Sequence, residues 1–195
     1  MTVTDPGFDQ VTAPLRAELL AHCYRMSGSA SDAEDLVQET YLRAWKAFHR
    51  FEGRSSVRTW MYSIATNVCL TAATARRVLP VGLGGEPSNP LEPVAPSTEV
   101  LWLQPLPDRA LGDPGEAAVA REGIGLAMVA ALQVLPAKQR AALILRDVLQ
   151  WRAAEVADTI GVTTATVNSL LQRAREQLKN AAPQHDSTEE ITDDA

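Results

Sequence analysis

The chain has 195 residues, a net charge of −6, 46% hydrophobic residues and 5% aromatic ones. That length gives one medium domain or two small ones, and its Ala-, Leu- and Val-rich apolar fraction suits helical cores, while the lack of alternating β-branched runs argues against a sheet protein. No apolar run approaches the ~18 residues that span a bilayer, and "MTVTDPGFDQ" lacks the basic and apolar regions of a signal peptide, so a cytoplasmic chain with no membrane span is expected.

The net charge hides its distribution. Asp186, Glu189, Glu190, Asp193 and Asp194 crowd the last fifteen residues without a single Lys or Arg, and the rest of the chain nets only −1. Residues 31 to 39 hold four acids and no base; residues 40 to 78 hold seven bases and one acid, a local charge of +6. Local sign governs a binding surface more than the total does.

In chain order, "APLRAELLAHCYRMSG" reads as a helix ended by Gly28. Ser31 and Glu34 make a capping-box pattern for the next helix, in which Leu36, Val37, Tyr41, Ala44, Trp45 and Phe48 recur at helical spacing and are expected to face a core. Asp35, Gln38, Glu39, Arg43 and Lys46 share the opposite face. "FEGRSS" breaks the pattern at Gly53, and Ser55 is placed to cap a third helix, "SVRTWMYSIATNVCLTAATARR", with Trp60, Ile64, Val68 and Leu70 as apolar positions. Cys23 and Cys69 have neither CxxC nor His-partner spacing and read as buried reduced thiols in preference to a redox pair.

Residues 80 to 114 carry eight of the twelve prolines and four glycines. They cannot sustain a helix or central strand and read as an extended linker. Within it, Leu101, Trp102, Leu103 and Leu106 of "EVLWLQPLP" form an apolar cluster that needs a surface to dock on. A second helical block follows. One helix runs to Leu135 before Pro136, which suits the first turn of the next helix, and that one ends near Leu149. Then come a short helix with Ala154, Val156, Ala157 and Ile160 inward, a Gly161 break, and a helix from Thr163 or Thr164 with Val162, Val167 and Leu171 inward. A short helix, a glycine turn and a helix bearing exposed polar side chains is a helix-turn-helix pattern. The predicted fold is all-α: a helical bundle over 11–79, the Pro-rich linker over 80–114, a helix-turn-helix domain over 115–180 and an acidic disordered tail over 181–195.

Both blocks together carry a resemblance. "DAEDLVQETYLRAWKAFHRFEGRSSVRTWMYSIATNVCL" resembles domain 2 of the extracytoplasmic-function (ECF) sigma factors of the sigma-70 superfamily, and "LPAKQRAALILRDVLQWRAAEVADTIGVTTATVNSLLQRAREQL" resembles their domain 4. "VLWLQPLPD" and "NSLLQRAR" are similar to the actinobacterial SigG-type subgroup. Members of that subgroup usually carry a SnoaL-like domain after domain 4, and this chain stops where it would begin.

The resemblance implies core RNA polymerase (β′ clamp helices and β flap) and promoter DNA as partners, no cofactor, no metal and no catalytic residue, and a monomer when free. Many family members are also silenced by anti-sigma factors. Asp35, Gln38, Glu39 and Arg43 fall on the helix that docks on the β′ clamp helices, where carboxylates and an amide suit an arginine-rich partner; read alone, the stripe is a solvated face with an i,i+4 pair such as Glu39–Arg43. Arg54, Ser55, Trp60 and Asn67 fall where the −10 element is opened and a base is flipped into a pocket whose contacts offset lost stacking. Trp60 read alone is a core residue, and Asn67 read alone is equally a structural helix-packing amide. Arg76 and Arg77 are candidate phosphate clamps or complements to the helix dipole.

Thr166, Asn168, Ser169, Gln172 and Arg173 fall on the helix that reads the −35 element in the major groove. Arg173 can reach a guanine edge, and Asn168 or Gln172 an adenine edge. Arg175 and Lys179 read as phosphate or solvent contacts. Asn168 and Leu170 stand where many relatives have Arg, and Arg152 where relatives often have a capping Ser. The alternative reading is a stand-alone helix-turn-helix transcriptional regulator, a class without the "DLVQETYLRAW" block. An enzyme has no support: there is no Walker loop, HExxH or GxSxG, and His22, His49 and His185 are scattered.

Overall fold

Helix α1 (Pro6–Thr12) continues through a 3₁₀ turn into α2 (Arg16–Ser27), followed by α3 (Ala30–Ala47), a second 3₁₀ turn at Phe48–Arg50, and α4 (Val57–Arg76). Beyond residues 77–125 come α5 (Leu126–Gln133), α6 (Ala137–Leu143) with a π-helical turn at Ile144–Val148, α7 (Ala153–Ile160) and α8 (Thr164–Ala181). This computed structural model describes residues 6–76 and 126–181, and all regular structure among them is helical. The expected linker over 80–114 with its Trp102 cluster, Arg77 and residues 182–195 of the expected tail lie outside the described residues.

Local chemistry sets most helix ends. α2 stops at Gly28, which takes a left-handed conformation (φ +75°) and donates its N–H to the Tyr24 carbonyl at 2.8 Å. The cap of α3 differs from the expected one: Ser29, in extended backbone, accepts from Asp32 N at 3.3 Å. Ser31 is already inside the helix, so its hydroxyl cannot reach the N–H three residues on. In the same way Ser56 caps α4, accepting from Thr59 N at 3.0 Å. Ser55 lies one residue too early. α3 also ends before the glycine expected to break it; Gly53 sits in the following loop at φ +70°.

The buried stripe of α3 is Ala33, Val37, Thr40 and Ala44, at steps of four, three and four. This narrow stripe leaves Trp45 outside. Trp45 is 45% exposed and Leu42 54%, against the expectation that Trp45 faces the core. α1 packs on α3 from the other side: the Phe8 ring meets Phe48 edge-on at 5.2 Å, and Tyr41 donates its hydroxyl to the Thr12 carbonyl at 2.7 Å. Leu19 and Leu20 of α2 and Met61 of α4 fill the centre. Each contributes about 1.5–3 kcal/mol by leaving water.

His22 is fully buried there, with Nε2 3.0 Å from Thr66 Oγ1. Thr66 already donates to the Tyr62 carbonyl at 2.8 Å. Its oxygen therefore accepts, and the ring is the neutral Nε2–H tautomer. Burial, reinforced by the charge of Arg25, lowers the ring's pKa to about 3.

The second block docks on the first through one continuous core. Tyr62 of α4 meets the buried Trp151 ring edge-on at 6.5 Å, and Ser63 of α4 hydrogen-bonds Thr159 of α7 at 3.1 Å. Gln133 of α5 donates to the Arg25 carbonyl at 3.2 Å, and Arg140 of α6 donates to the Met26 carbonyl, to Gln133 and, at 2.9 Å, to the Leu135 carbonyl. Burial of this guanidinium pulls its pKa down to about 10. Helix α6 unwinds where Leu149 N–H reaches five residues back to the Ile144 carbonyl, and Gln150 adopts φ +57°. That turn delivers Trp151 into the core, while Arg146 donates to the Trp151 carbonyl at 2.8 Å.

Two glycines with the same backbone sign separate strain from crowding. Both Gly28 and Gly161 have positive φ, but only at Gly28 does an added Cβ meet a side chain, Gln133 Cδ at 2.9 Å. Gly161→Ala is expected to cost about 1–2 kcal/mol from left-handed strain alone. Gly28→Ala should cost the same strain and also displace Gln133 from the Arg25 carbonyl. Urea unfolding checks this; equal losses for the two variants would show that Gln133 adds nothing.

Candidate functional site

Three surfaces collect the residues singled out from sequence. The first is the polar face of α3, where Asp35, Gln38 and Arg43 are exposed and Glu39 is half-buried. Arg43 Nε donates to Glu39 Oε1 at 2.7 Å, so the i,i+4 pair does form. Both partners are about half exposed, and such pairs contribute only about 0.3–0.5 kcal/mol. A partner surface can displace Arg43 at little cost. Asp35 also borders a 670 Å³ cavity between the two blocks, lined further by Leu36, Cys69, Ala73, Gln133 and Arg140. Leu42 and Trp45 extend the exposed face with apolar surface. Their outward placement was not foreseen, because helical phase alone does not fix the width of the buried stripe.

The second surface runs along α4 from the loop before it. Arg54 and Ser55 are exposed on that loop, and the Arg54–Glu52 pair, at 3.0 Å, stays open to solvent. Trp60 is partly buried, 4.9 Å from the Phe51 ring and 6.3 Å from Phe48. It is both a core-packing ring and the wall beside the loop. Asn67 lies two turns on, about 10 Å along the axis. It is exposed and donates to the Ser63 carbonyl at 2.9 Å, so it is not a buried packing amide. Trp60, Ser63 and Asn67 follow one another at i, i+3 and i+7 and share a face. Arg76 is the last residue of α4; its side chain, like all of Arg77, is outside the described residues. Arg58, next to Trp60, is tied instead to Glu18 of α2 at 2.7 Å.

The third surface is α8. Its buried stripe is Val167, Leu171 and Ala174, which leaves Thr166, Asn168, Ser169, Gln172 and Arg173 exposed together. Thr163 caps the helix, accepting from Thr166 N at 3.2 Å. Ala154 of the preceding helix, expected inward, is exposed, whereas Val156, Ala157 and Ile160 are buried as expected. The cap of α7 is half of a capping box: Arg152 has no acceptor to offer, but Glu155 Oε2 accepts from Arg152 N at 2.7 Å. Arg175 is exposed, as expected, and in addition pairs with Asp147 at 2.9 Å. That contact fixes α8 against the end of α6.

Among the described residues no group of His, Cys, Asp and Glu is arranged to hold a metal ion, and no helix is long and apolar enough to cross a membrane. Pattern reading missed the contact between the blocks, made by Gln133 and Arg140. No local signal separated Arg140 from Lys138 and Arg146 on either side of it; only the packing shows that its guanidinium is the one that meets buried acceptors.

Comparison with known proteins matches both blocks separately. Residues 13–78 match Sigma-70 region 2, and residues 125–178 match Sigma-70, region 4. The ECF RNA polymerase sigma factor SigG of Mycobacterium tuberculosis is 58% identical over 180 residues, 90% of this chain and 49% of that protein. The ECF RNA polymerase sigma factor SigE of Mycolicibacterium smegmatis is 27% identical, covering 93% of this chain and 64% of that protein. The chain spans about half the length of the SigG relative. Among solved structures, the sigma factor RpoE, in complex with the anti-sigma factor NepR from Bartonella quintana, has the same fold (TM-score 0.57, 24% identity, 89% of this chain and 95% of that one). The ECF sigma factor SigJ of Mycobacterium tuberculosis gives a TM-score of 0.57 at 26% identity, over 85% of this chain and 51% of that one.

Proposed function

Because the chain belongs to the ECF sigma factors of the sigma-70 family, we propose that it binds core RNA polymerase and directs it to promoters, reading a −35 element with α8 and opening a −10 element along α4. The observation that carries this reading is the pairing, on one chain, of an exposed acid-and-amide face on α3 with a capped helix-turn-helix whose second helix turns five polar side chains outward. A stand-alone regulator would need only the second of these. Such a protein works where the polymerase is, in the cytoplasm. The structure similar to this chain in which RpoE is held by an anti-sigma factor supports an anti-sigma factor as a further partner.

The roles divide by chemistry. On α3, Asp35, Gln38 and Glu39 offer acceptors to arginines of the β′ clamp helices, with Arg43 released from Glu39 to complete the contact. On α4, Arg54 and Ser55 hold the DNA backbone at the loop. The Trp60 wall and the Asn67 amide then receive an extruded base, and stacking and hydrogen bonds offset the few kcal/mol of lost base stacking. Arg76 and Arg77 neutralise phosphates beyond them. On α8, Arg173 reads guanine and Asn168 or Gln172 reads adenine, with Thr166 and Ser169 alongside. The Ser63–Thr159 bond places α7 against the α4 face between Trp60 and Asn67. The two blocks must therefore separate before that face meets DNA.

Transcription in vitro with core polymerase and a promoter-variant panel tests the assignment. Arg173→Ala is expected to cost about 1–3 kcal/mol at one base position of the −35 element. Arg76→Ala should weaken all promoters alike and lower the salt dependence, since phosphate contacts carry no sequence information. A uniform loss for Arg173→Ala would make it a positioning contact; no promoter-dependent transcription by the wild-type chain would overturn the function.

A further inference from the structure

Cys23 and Cys69 are the only cysteines in the chain, 46 residues apart in sequence, and both are buried free thiols. The fold brings α2 against α4 so that their sulfurs lie 3.9 Å apart, with the Cys69 thiol directed at Cys23 Sγ. The two sulfurs differ in access. Cys69 lines the cavity between the blocks together with Met26, Asp35, Gln133 and Arg140, whereas Cys23 has no exposed surface and does not reach it.

We propose that Cys69 and Cys23 form a dithiol pair oxidised by hydroperoxides, with Cys69 attacking the peroxide and Cys23 resolving it into a disulfide that joins α2 to α4. In the first step the Cys69 thiolate sulfur attacks one peroxide oxygen and the O–O bond breaks. The departing oxygen takes a proton and leaves as water, or as an alcohol from an organic hydroperoxide, and Cys69 becomes a sulfenic acid. In the second step Cys23 sulfur attacks Cys69 sulfur and the S–O bond breaks. Hydroxide leaves with the Cys23 proton as a second water. Two thiols are oxidised by two electrons, and one peroxide is reduced.

The surroundings fit this order of events. Arg140 lines the same cavity as Cys69 and offers a positive charge and N–H groups to an oxygen that departs as an anion. The contact with the Cys69 sulfur, together with burial, pushes the Cys23 thiol well up, so Cys23 keeps its proton until it attacks the oxidised Cys69. A disulfide needs about 2.05 Å between sulfurs, so they must approach by about 1.9 Å. The closure occurs one helical turn from Met26, whose carbonyl holds Arg140 of the second block. Oxidation thus acts on α2 directly beside the contact between the blocks.

The experiment treats the purified native chain with hydrogen peroxide and follows intact mass, thiol titre and non-reducing mobility. The expected result is a monomer that loses two hydrogens and both titratable thiols, reversibly with dithiothreitol. Cys23→Ser should accumulate a sulfenic acid at Cys69 that dimedone traps, and Cys69→Ser should give no adduct. Retention of both thiols by the native wild-type chain overturns the pair, as does a purely intermolecular disulfide. A dimedone adduct on Cys23 in the Cys69→Ser chain overturns the assigned order.

Discussion

Replacing Asp35 and Glu39 with Lys is expected to abolish co-purification with core RNA polymerase while leaving helicity unchanged. Asp35 is exposed and Glu39 is half-buried on the outer face of α3, and the buried stripe of that helix touches neither. Inside the free chain, the double change removes the Glu39–Arg43 pair, a loss of about 0.3–0.5 kcal/mol, and puts a second cation at the edge of the cavity that Asp35 shares with Arg140. At an interface with arginine-rich helices it replaces two attractions by like-charge contacts, which cost several kcal/mol, at least about 100-fold in affinity. Circular dichroism and pull-down on the same preparations check both halves. Undiminished binding by a folded variant would remove α3 from the polymerase interface.

Acid is expected to destabilise the chain through His22. The ring is neutral and fully buried, and its folded pKa of about 3 lies below the unfolded value of 6.5. As pH falls, the unfolded chain takes up the proton first. The stability tied to the neutral ring is complete above about pH 6.5 and is lost as pH falls toward about 3. The slope is about 1.4 kcal/mol per pH unit, or about 2–3 kcal/mol between pH 6.5 and pH 4.5. His22→Gln keeps an N–H for Thr66 and does not titrate, so its stability relative to wild type should rise by that amount over the same interval. Urea unfolding of both chains at several pH values makes the comparison. A difference that stays constant with pH would mean that the unfolded chain gains no proton advantage from this ring.

Much of the local architecture was legible because its causes act within four residues. Gly28 and Gly161 end helices by adopting positive φ, which side chains with a Cβ resist. Pro136 precedes a helix because it has no N–H to lose. The 3.6-residue period of Val156, Ala157, Ile160, Val167 and Leu171 separates the inward from the outward side of the helix-turn-helix. It leaves Asn168, Gln172 and Arg173 outside, where the structure has them. The caps show the limit of such reading. Ser29 and Ser56 serve in place of Ser31 and Ser55, because a cap is chosen by where the chain enters the helix, and neighbouring serines are locally equivalent.

By itself, then, the sequence determined the all-α class, the helix ends at Gly28 and Gly161 and the polar faces that carry the proposed contacts; helix α1 and the end of α3 ahead of Gly53 were not legible in it. What required the tertiary structure is what depends on residues far apart in the chain. Trp60 and Trp45 have similar local patterns, yet Phe48 and Phe51 half-enclose the first, while the narrow Ala33–Val37–Ala44 stripe leaves the second outside. Arg175 meets Asp147 28 residues away, and Arg140 finds the Met26 carbonyl 114 residues away. The sulfurs of Cys23 and Cys69 come within 3.9 Å of each other. Periodicity and capping are short-range signals. They say which side of a helix is apolar, but the choice of which buried face meets which is made only when the whole core packs and every buried charge must find an acceptor.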